Sequence, residues 1–267
     1  MTQETAYASF SLTVAEGKRL IARGAAQLPC VKAAMKSGMV AVTKGTTTAY
    51  VLEELLGEGV ERMAYCLGKT LPSGHPERAK LFAGNLPEVV FRDGKVVEGM
   101  DLEAGLEEMA AGDVVIKGAN ALDHERGLVG HLVGHPTGGT VGKFLGSVHG
   151  RQMHFVCPVG LEKQLAGNLL ETSAALTRAA ELAASSPSLW VMPAEIVTEL
   201  EAVALLTGAR TVQMAAGGVL GAEGACWIMA SGTGEQIEAV ERLVEEVHGE
   251  PSLLEYAEER RGMGNGG

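Results

Sequence analysis

The sequence predicts an α/β protein: an open, mainly parallel Rossmann-like sheet with helices on both faces, followed by a small ferredoxin-like α+β module at the C-terminus. Three observations predict it. Short apolar runs bounded by glycine, such as "MVAVT" at 39–43 and "DVVI" at 113–116, alternate with stretches whose apolar residues recur at helical spacing. The 267 residues are 46% hydrophobic but only 4% aromatic and include 36 glycines, so packing falls to Ala, Leu, Val and Met between many turns. The last third then changes rhythm to strand, helix, two strands and helix.

Each element has its own warrant. Thr13 and Glu16 have capping-box spacing, and residues 14–28 carry apolar side chains at helical intervals, which predicts the first helix. Residues 31–38 form a second short helix stopped by Gly38. The run 39–43 is too short for a buried helix and is expected as a buried parallel strand. Residues 46–59 read as a helix ended by Gly57. Residues 62–68 and 88–99 read as strands, the latter a hairpin turning at Asp93-Gly94. A helix over 102–112 leads to 113–123, which repeats the opening design: an apolar strand running into Lys117-Gly118. A Gly-rich loop, a helix over 138–150 and a buried strand within 153–163 follow. From 188 to 251 the order β-α-β-β-α suggests a split-βαβ module. The expected division is an α/β domain over 1–184, a ferredoxin-like domain over 185–258 and a disordered polar tail over 259–267.

A net charge of −11 argues against general affinity for nucleic acid or anionic lipid, because phosphate backbones are bound by clustered Lys and Arg. Neither partner is expected. Cys30, Cys66, Cys157 and Cys226 are widely spread with no C-x-x-C pair, which fits reduced thiols in a cytoplasmic protein. No signal-like segment and no apolar run of about 18 residues is present to span a bilayer. A homo-oligomer is expected, with the Met- and Trp-bearing strands of the C-terminal module suited to a subunit interface.

Residues 31–55, "VKAAMKSGMVAVTKGTTTAYVLEEL", resemble the opening of ribose-5-phosphate isomerases, where a glycine-bounded strand and a Gly/Thr/Ser loop lead into a helix that holds the sugar phosphate. "DVVIKGANALD", with Gly139-Thr140 and "MHFVCP", is similar to the "GAD…GT" segment of those enzymes and of initiation-factor-2B-like sugar-phosphate isomerases. The resemblance implies the superfamily of ribose-5-phosphate isomerase, glucosamine-6-phosphate deaminase and CoA transferases, a small anionic substrate and aldose–ketose isomerisation. The catalytic acids depart from that pattern. Lys117 and Asn120 stand where both carboxylates of the isomerase motif would be, and no acid lies between Gly138 and Gly150.

In an open parallel sheet, ligands sit beyond the carboxyl ends of strands, where helix N-termini present unpaired N–H groups. Three loops are expected there: Lys44-Gly45-Thr46-Thr47-Thr48, Lys117-Gly118-Ala119-Asn120 and Gly138-Gly139-Thr140-Val141-Gly142-Lys143. Each offers glycines that let amides turn inward, hydroxyl or amide donors and a lysine, the groups a phosphate or carboxylate needs. The rival reading makes Thr46 a helix cap and the lysines solvent charges. Isomerisation needs a base and an oxyanion stabiliser; Asp123 or Glu162 is assigned the first role and Lys117 the second. No cofactor or metal is expected. His124, His131 and His135 invite a metal reading, the last two being four apart, but Gly130, Gly134 and Pro136 interrupt any helix that would aim them together. Cys157 reads as a core thiol, and Glu223, the one residue suggesting CoA-transferase chemistry, as part of a hairpin turn. The alternative functions are a non-catalytic sensor that keeps the anion loops without the acids, or a CoA-transferase-like enzyme.

Overall fold

The computed structural model describes residues 5–82, 84–180 and 187–264. Along the chain, β1 (Ala6–Leu12), α1 (Val14–Gln27), α2 (Pro29–Ser37), β2 (Met39–Val42) and α3 (Thr46–Leu56) lead to the hairpin strands β3 (Val89–Arg92) and β4 (Lys95–Val96). Then come α4 (Leu102–Glu108), β5 (Val114–Ile116), β6 (Ala121–Asp123), β7 (Leu128–Val133), α5 (Gly139–Gly150) and β8 (His154–Pro158). The last third holds α6 (Leu169–Ala179), β9 (Ser188–Pro193), β10 (Glu195–Val197), α7 (Glu199–Thr207), β11 (Arg210–Ala216), β12 (Cys226–Gly232), α8 (Gly234–Val247) and α9 (Leu253–Gly264). These elements form two compact units: a central unit of Leu28–Thr43 and Glu88–Val197, and a terminal unit of Met1–Gln27, Lys44–Pro87 and Thr198–Gly267.

The central unit is built on a mixed six-stranded sheet ordered β10-β8-β5-β2-β3-β4. Its first four strands are parallel, and the β3–β4 hairpin adds an antiparallel edge. The runs the sequence marks as buried are buried here: Val40 to Val42, Val114 to Ile116 and Phe155 to Cys157. Asp93 (φ 50°) and Gly94 (φ 75°) both take the left-handed conformation that a two-residue hairpin turn requires. A second, antiparallel sheet of β6, β7 and β9 packs against α6 through Ala121, Leu169 and Leu189. Strand β9 begins at Ser188, where the sequence predicts a strand, whereas β7, interrupted by Gly130, reads as loop. At Gly130 the missing side chain leaves room for Leu189, whose Cδ1 lies 2.9 Å from where a Cβ would stand.

The terminal unit holds an antiparallel sheet ordered β1-β12-β11 with α1, α3, α7 and α8. The Thr13–Glu16 box closes as its spacing predicts: Thr13 N donates to Glu16 at 2.8 Å and Glu16 N to the Thr13 hydroxyl at 3.3 Å. Thr198–Glu201 and Thr233–Gln236 form two further capping boxes at α7 and α8. One face of this sheet leaves Tyr7, Val212 and Trp227 exposed.

Three expectations change. Residues 185–258 do not close on themselves as a ferredoxin-like module, because β9 pairs with β7 and β10 lies parallel to β8 in the central unit. Strands β11 and β12 instead take β1 from the far end of the chain as their third strand, paired over all seven of its residues. The α/β division at 184 therefore gives way to two units of interleaved segments; residues 181–186, where that boundary falls, lie outside the described residues. Residues 62–68 coil instead of extending: Ala64 N and Tyr65 N both donate to Glu61 O, which buries Tyr65 in a turn. The tail expected to be disordered is helical to Gly264 in α9, and 265–267 lie outside the described residues. Among the described residues, no helix is long and apolar enough to cross a membrane.

Asp113, at the start of β5, is a buried carboxylate that accepts from Met39 N and Ala110 N, both at 2.7 Å. Asp113→Ala strands both donors and is expected to cost about 2–4 kcal/mol in urea unfolding; a loss below about 1 kcal/mol would show that water replaces the carboxylate.

Candidate functional site

In the central unit, β5 and β8 run parallel, and the strand ladder carries past the end of β5: Lys117 N donates to Val156 O at 3.0 Å. The chain then turns through Gly118 and Ala119, and two side chains from elsewhere fasten that turn. His131, from β7, donates from Nε2 to Gly118 O at 3.1 Å. Lys163, from the short 3-10 turn Leu161–Lys163 after β8, donates to Ala119 O at 2.8 Å. The acceptor on Gly118 is a carbonyl, so the His131 proton resides on Nε2 and its Nδ1 is an acceptor. That Nδ1 is buried without a hydrogen-bond partner.

The electrostatics follow from who is buried beside whom. Burial holds the half-buried Lys117 below the usual lysine value, opposed by Cys157, reinforced by the Lys163 ammonium and opposed again by Glu88. Burial, with Lys117 and Lys163 nearby, lowers His131 to about 3 against one opposing hydrogen bond to Gly118, so the imidazole is neutral at pH 7. Burial pushes the Cys157 thiol up to about 12 despite both lysines, which leaves it protonated and a poor nucleophile. Neither lysine forms an ion pair among the described residues. The strand ends thus gather two ammonium groups, a neutral imidazole with a vacant lone pair and a thiol. Such a set attracts an anion.

The other expected site residues divide sharply. Asn120 uses its Oδ1 to accept from Leu132 N at 3.0 Å, a structural bond. Asp123 is buried and committed to Arg126, accepting its backbone N at 3.2 Å and its Nη1 at 3.1 Å. Glu162 forms no ion pair among the described residues; its carboxylate folds back over Gly160, where a Cβ would lie 1.7 Å from Oε2. Gly138 caps α5 at φ 86°, and a Cβ there would meet the Trp190 ring at 2.4 Å, so packing dictates this glycine. Gly139 and Thr140 open α5 with no side-chain cap, and Lys143 pairs with Glu103 at 2.9 Å. The lysine of this third loop is spoken for.

The first loop belongs to the terminal unit. Gly45, not Thr46, is the N-cap of α3, and no side chain caps it, so the helix start keeps its unpaired amides. Thr48 donates its hydroxyl to Gly45 O at 3.2 Å, and the buried Thr47 hydroxyl has no partner. Lys44 Nζ donates to Asn85 Oδ1 at 2.8 Å. The rival capping role for Thr46 is not realised.

Sequence reasoning missed a cleft of roughly 630 Å³ in the terminal unit, lined by Arg19, Glu53, Arg62, Tyr256 and Arg260 among others. Arg62 forks onto both Glu53 oxygens and reaches Glu250; Arg19 reaches Glu53, Glu54 and Glu250; both stack on Tyr50. Burial would raise Glu53, but hydrogen bonds from Arg62 and Arg19 outweigh it and hold the carboxylate below its ordinary range. Every guanidinium nitrogen of Arg19 and Arg62 has a carboxylate partner, so this is a brace between α1, α3 and the segment before α9. Spacings of 34 and 231 residues leave no sequence signal for it. The histidines weighed as metal ligands also part company: His131 is buried, while the exposed His135 accepts from Thr137 in its own turn.

No protein-family model, curated protein or solved structure matches the chain.

The unpaired Lys117 has a thermodynamic consequence. Between its lowered folded value and 10.5, the unfolded chain holds the lysine proton more tightly, so stability rises with pH across that window. Lys117→Met is expected to raise stability at pH 7 by about 1 kcal/mol, with the advantage shrinking as pH approaches 10.5. Denaturant midpoints from pH 7 to 10 check it; a destabilised variant would mean that the ammonium already has a partner.

Proposed function

We propose that this protein binds a small phosphorylated or carboxylated metabolite at the ends of β5 and β8 and converts it by aldose–ketose isomerisation, the reaction implied by its resemblance to ribose-5-phosphate isomerase. The observation that carries the binding half is the pairing of Lys117 and Lys163 around the turn at 118–119 without a carboxylate bonded to either. A substrate anion supplies the missing counter-charge. Lys117 then serves as the oxyanion stabiliser, since an ammonium of lowered proton affinity both binds negative charge and gives up a proton readily. Glu162 is the base, because Asp123 already neutralises Arg126. The amides at the start of α3, with Thr46, Thr47 and Thr48, are a second anion-attracting feature in the terminal unit.

A sensor without turnover is the second reading. The commitment of Asp123 to Arg126, with Lys117 and Asn120 in place of acids, favours it. In both cases the protein works in the cytoplasm on a soluble ligand.

Thermal-shift and calorimetric titration against inorganic phosphate, ribose 5-phosphate, a CoA ester and a nucleotide tests the binding. A sugar phosphate is expected to bind, with Lys117→Met and Lys163→Met each weakening it at least about tenfold. Turnover lost in Glu162→Gln with binding retained establishes the isomerase; binding without turnover leaves the sensor. Affinity unchanged in both lysine variants overturns the site.

A further inference from the structure

A different corner of the central unit collects three metal-ligating side chains that the site above does not use. Cys30 lies in the first turn of α2, directly after Pro29 at the helix start. His154 is the first residue of β8 and Glu195 the first of β10, on adjacent parallel strands where Glu195 stands opposite Val156. The Cys30 thiol donates to Glu195 Oε2 at 3.4 Å, and His154 Nδ1 lies 3.8 Å from the same oxygen. All three donor atoms fall within 4.8 Å of one another, and among the described residues no other trio of His, Cys, Asp or Glu does so.

From this convergence we propose a site for a borderline divalent cation of the zinc class, held by Cys30 Sγ, His154 Nδ1 and Glu195 Oε2. Tetrahedral zinc, with bonds of about 2.3 Å to sulfur and about 2.0–2.2 Å to nitrogen and oxygen, spaces its donors about 3.3–3.6 Å apart. The separations of 3.4 and 3.8 Å, with the third pair within 4.8 Å, close to that spacing by side-chain adjustment. One thiolate, one imidazole and one carboxylate suit zinc; magnesium and calcium select all-oxygen sets. Binding forms the metal–sulfur bond and releases the thiol proton to solvent. Half-exposed His154 and Glu195 leave the ion open to water, which fills the fourth position. The backbone already fixes the frame: His154 N donates to Asp113 O at 2.8 Å, and β10 is hydrogen-bonded along β8. Because the donors come from positions 30, 154 and 195, no ligand spacing in the sequence announces them.

The protein, stripped of metal with a chelator, is titrated with Co²⁺. One equivalent is expected to give thiolate-to-cobalt charge-transfer absorption and tetrahedral visible bands. Cys30→Ser is expected to abolish the charge transfer, and His154→Ala and Glu195→Gln each to weaken Co²⁺ at least about tenfold. A second readout keeps the thiol intact. Cys66, Cys157 and Cys226 are buried, so Cys30 is the thiol that iodoacetamide reaches, slowly, because burial and the Glu195 carboxylate push that thiol up to about 12. Zn²⁺ is expected to slow its alkylation in the wild type and to lose that protection in His154→Ala. Charge transfer that survives Cys30→Ser, no Co²⁺ binding, or zinc protection undiminished in both His154→Ala and Glu195→Gln overturns the proposal.

Discussion

An ammonium group held at the mouth of a parallel sheet is costly, and the candidate site depends on how the fold tolerates it. Lys117 cannot swing away at its root, because its backbone continues the β5–β8 ladder into Val156 and the turn beyond is pinned by His131 and Lys163. Its neighbours relieve it only in part: the imidazole is neutral, the second lysine repels, and Cys157 and Glu88 oppose the effect of burial without outweighing it. A fold selected for stability alone would place an apolar residue there. The positive potential left at the strand ends is the physical basis for reading the site as one that receives an anion.

The terminal unit treats buried cations in the opposite way. Arg19 and Arg62 are also largely withdrawn from solvent, yet every guanidinium nitrogen meets Glu53, Glu54 or Glu250, and Tyr50 lies under both guanidinium planes. A planar fork matches carboxylates two at a time, which makes arginine the residue for a permanent brace. Lysine, a point charge whose protonation shifts readily, suits a group that must meet and release a partner. The contrast is between a network in which every guanidinium nitrogen meets a carboxylate and two lysines with no carboxylate bonded to either.

How much of this was legible in the sequence depended on whether the signal was local. Buried strands β2, β5 and β8, the Asp93-Gly94 turn and the helices with capping boxes could be read because periodicity and turn chemistry sit within a few residues. Strand β7 could not, since Gly130 mimics a loop until Leu189 is known to pack there, and β6 has only three residues. The interleaving of segments was equally hidden: nothing near 6–12 says that its partner is 226–232. At the site, Lys117 was marked by its place at a strand end, but Lys163 and His131 join it only through tertiary contact. Lys143 and Asp123 were singled out by residue type and then found in ion pairs with Glu103 and Arg126, which only coordinates reveal.

The protonation of Lys117 is open to direct observation. Lysine-labelled NMR, with the Lys117 resonance assigned by its absence in Lys117→Met, reports the ammonium midpoint with and without inorganic phosphate. A midpoint below 10.5 in buffer that climbs when phosphate is added is the expected result. An ordinary midpoint that phosphate leaves in place would contradict it.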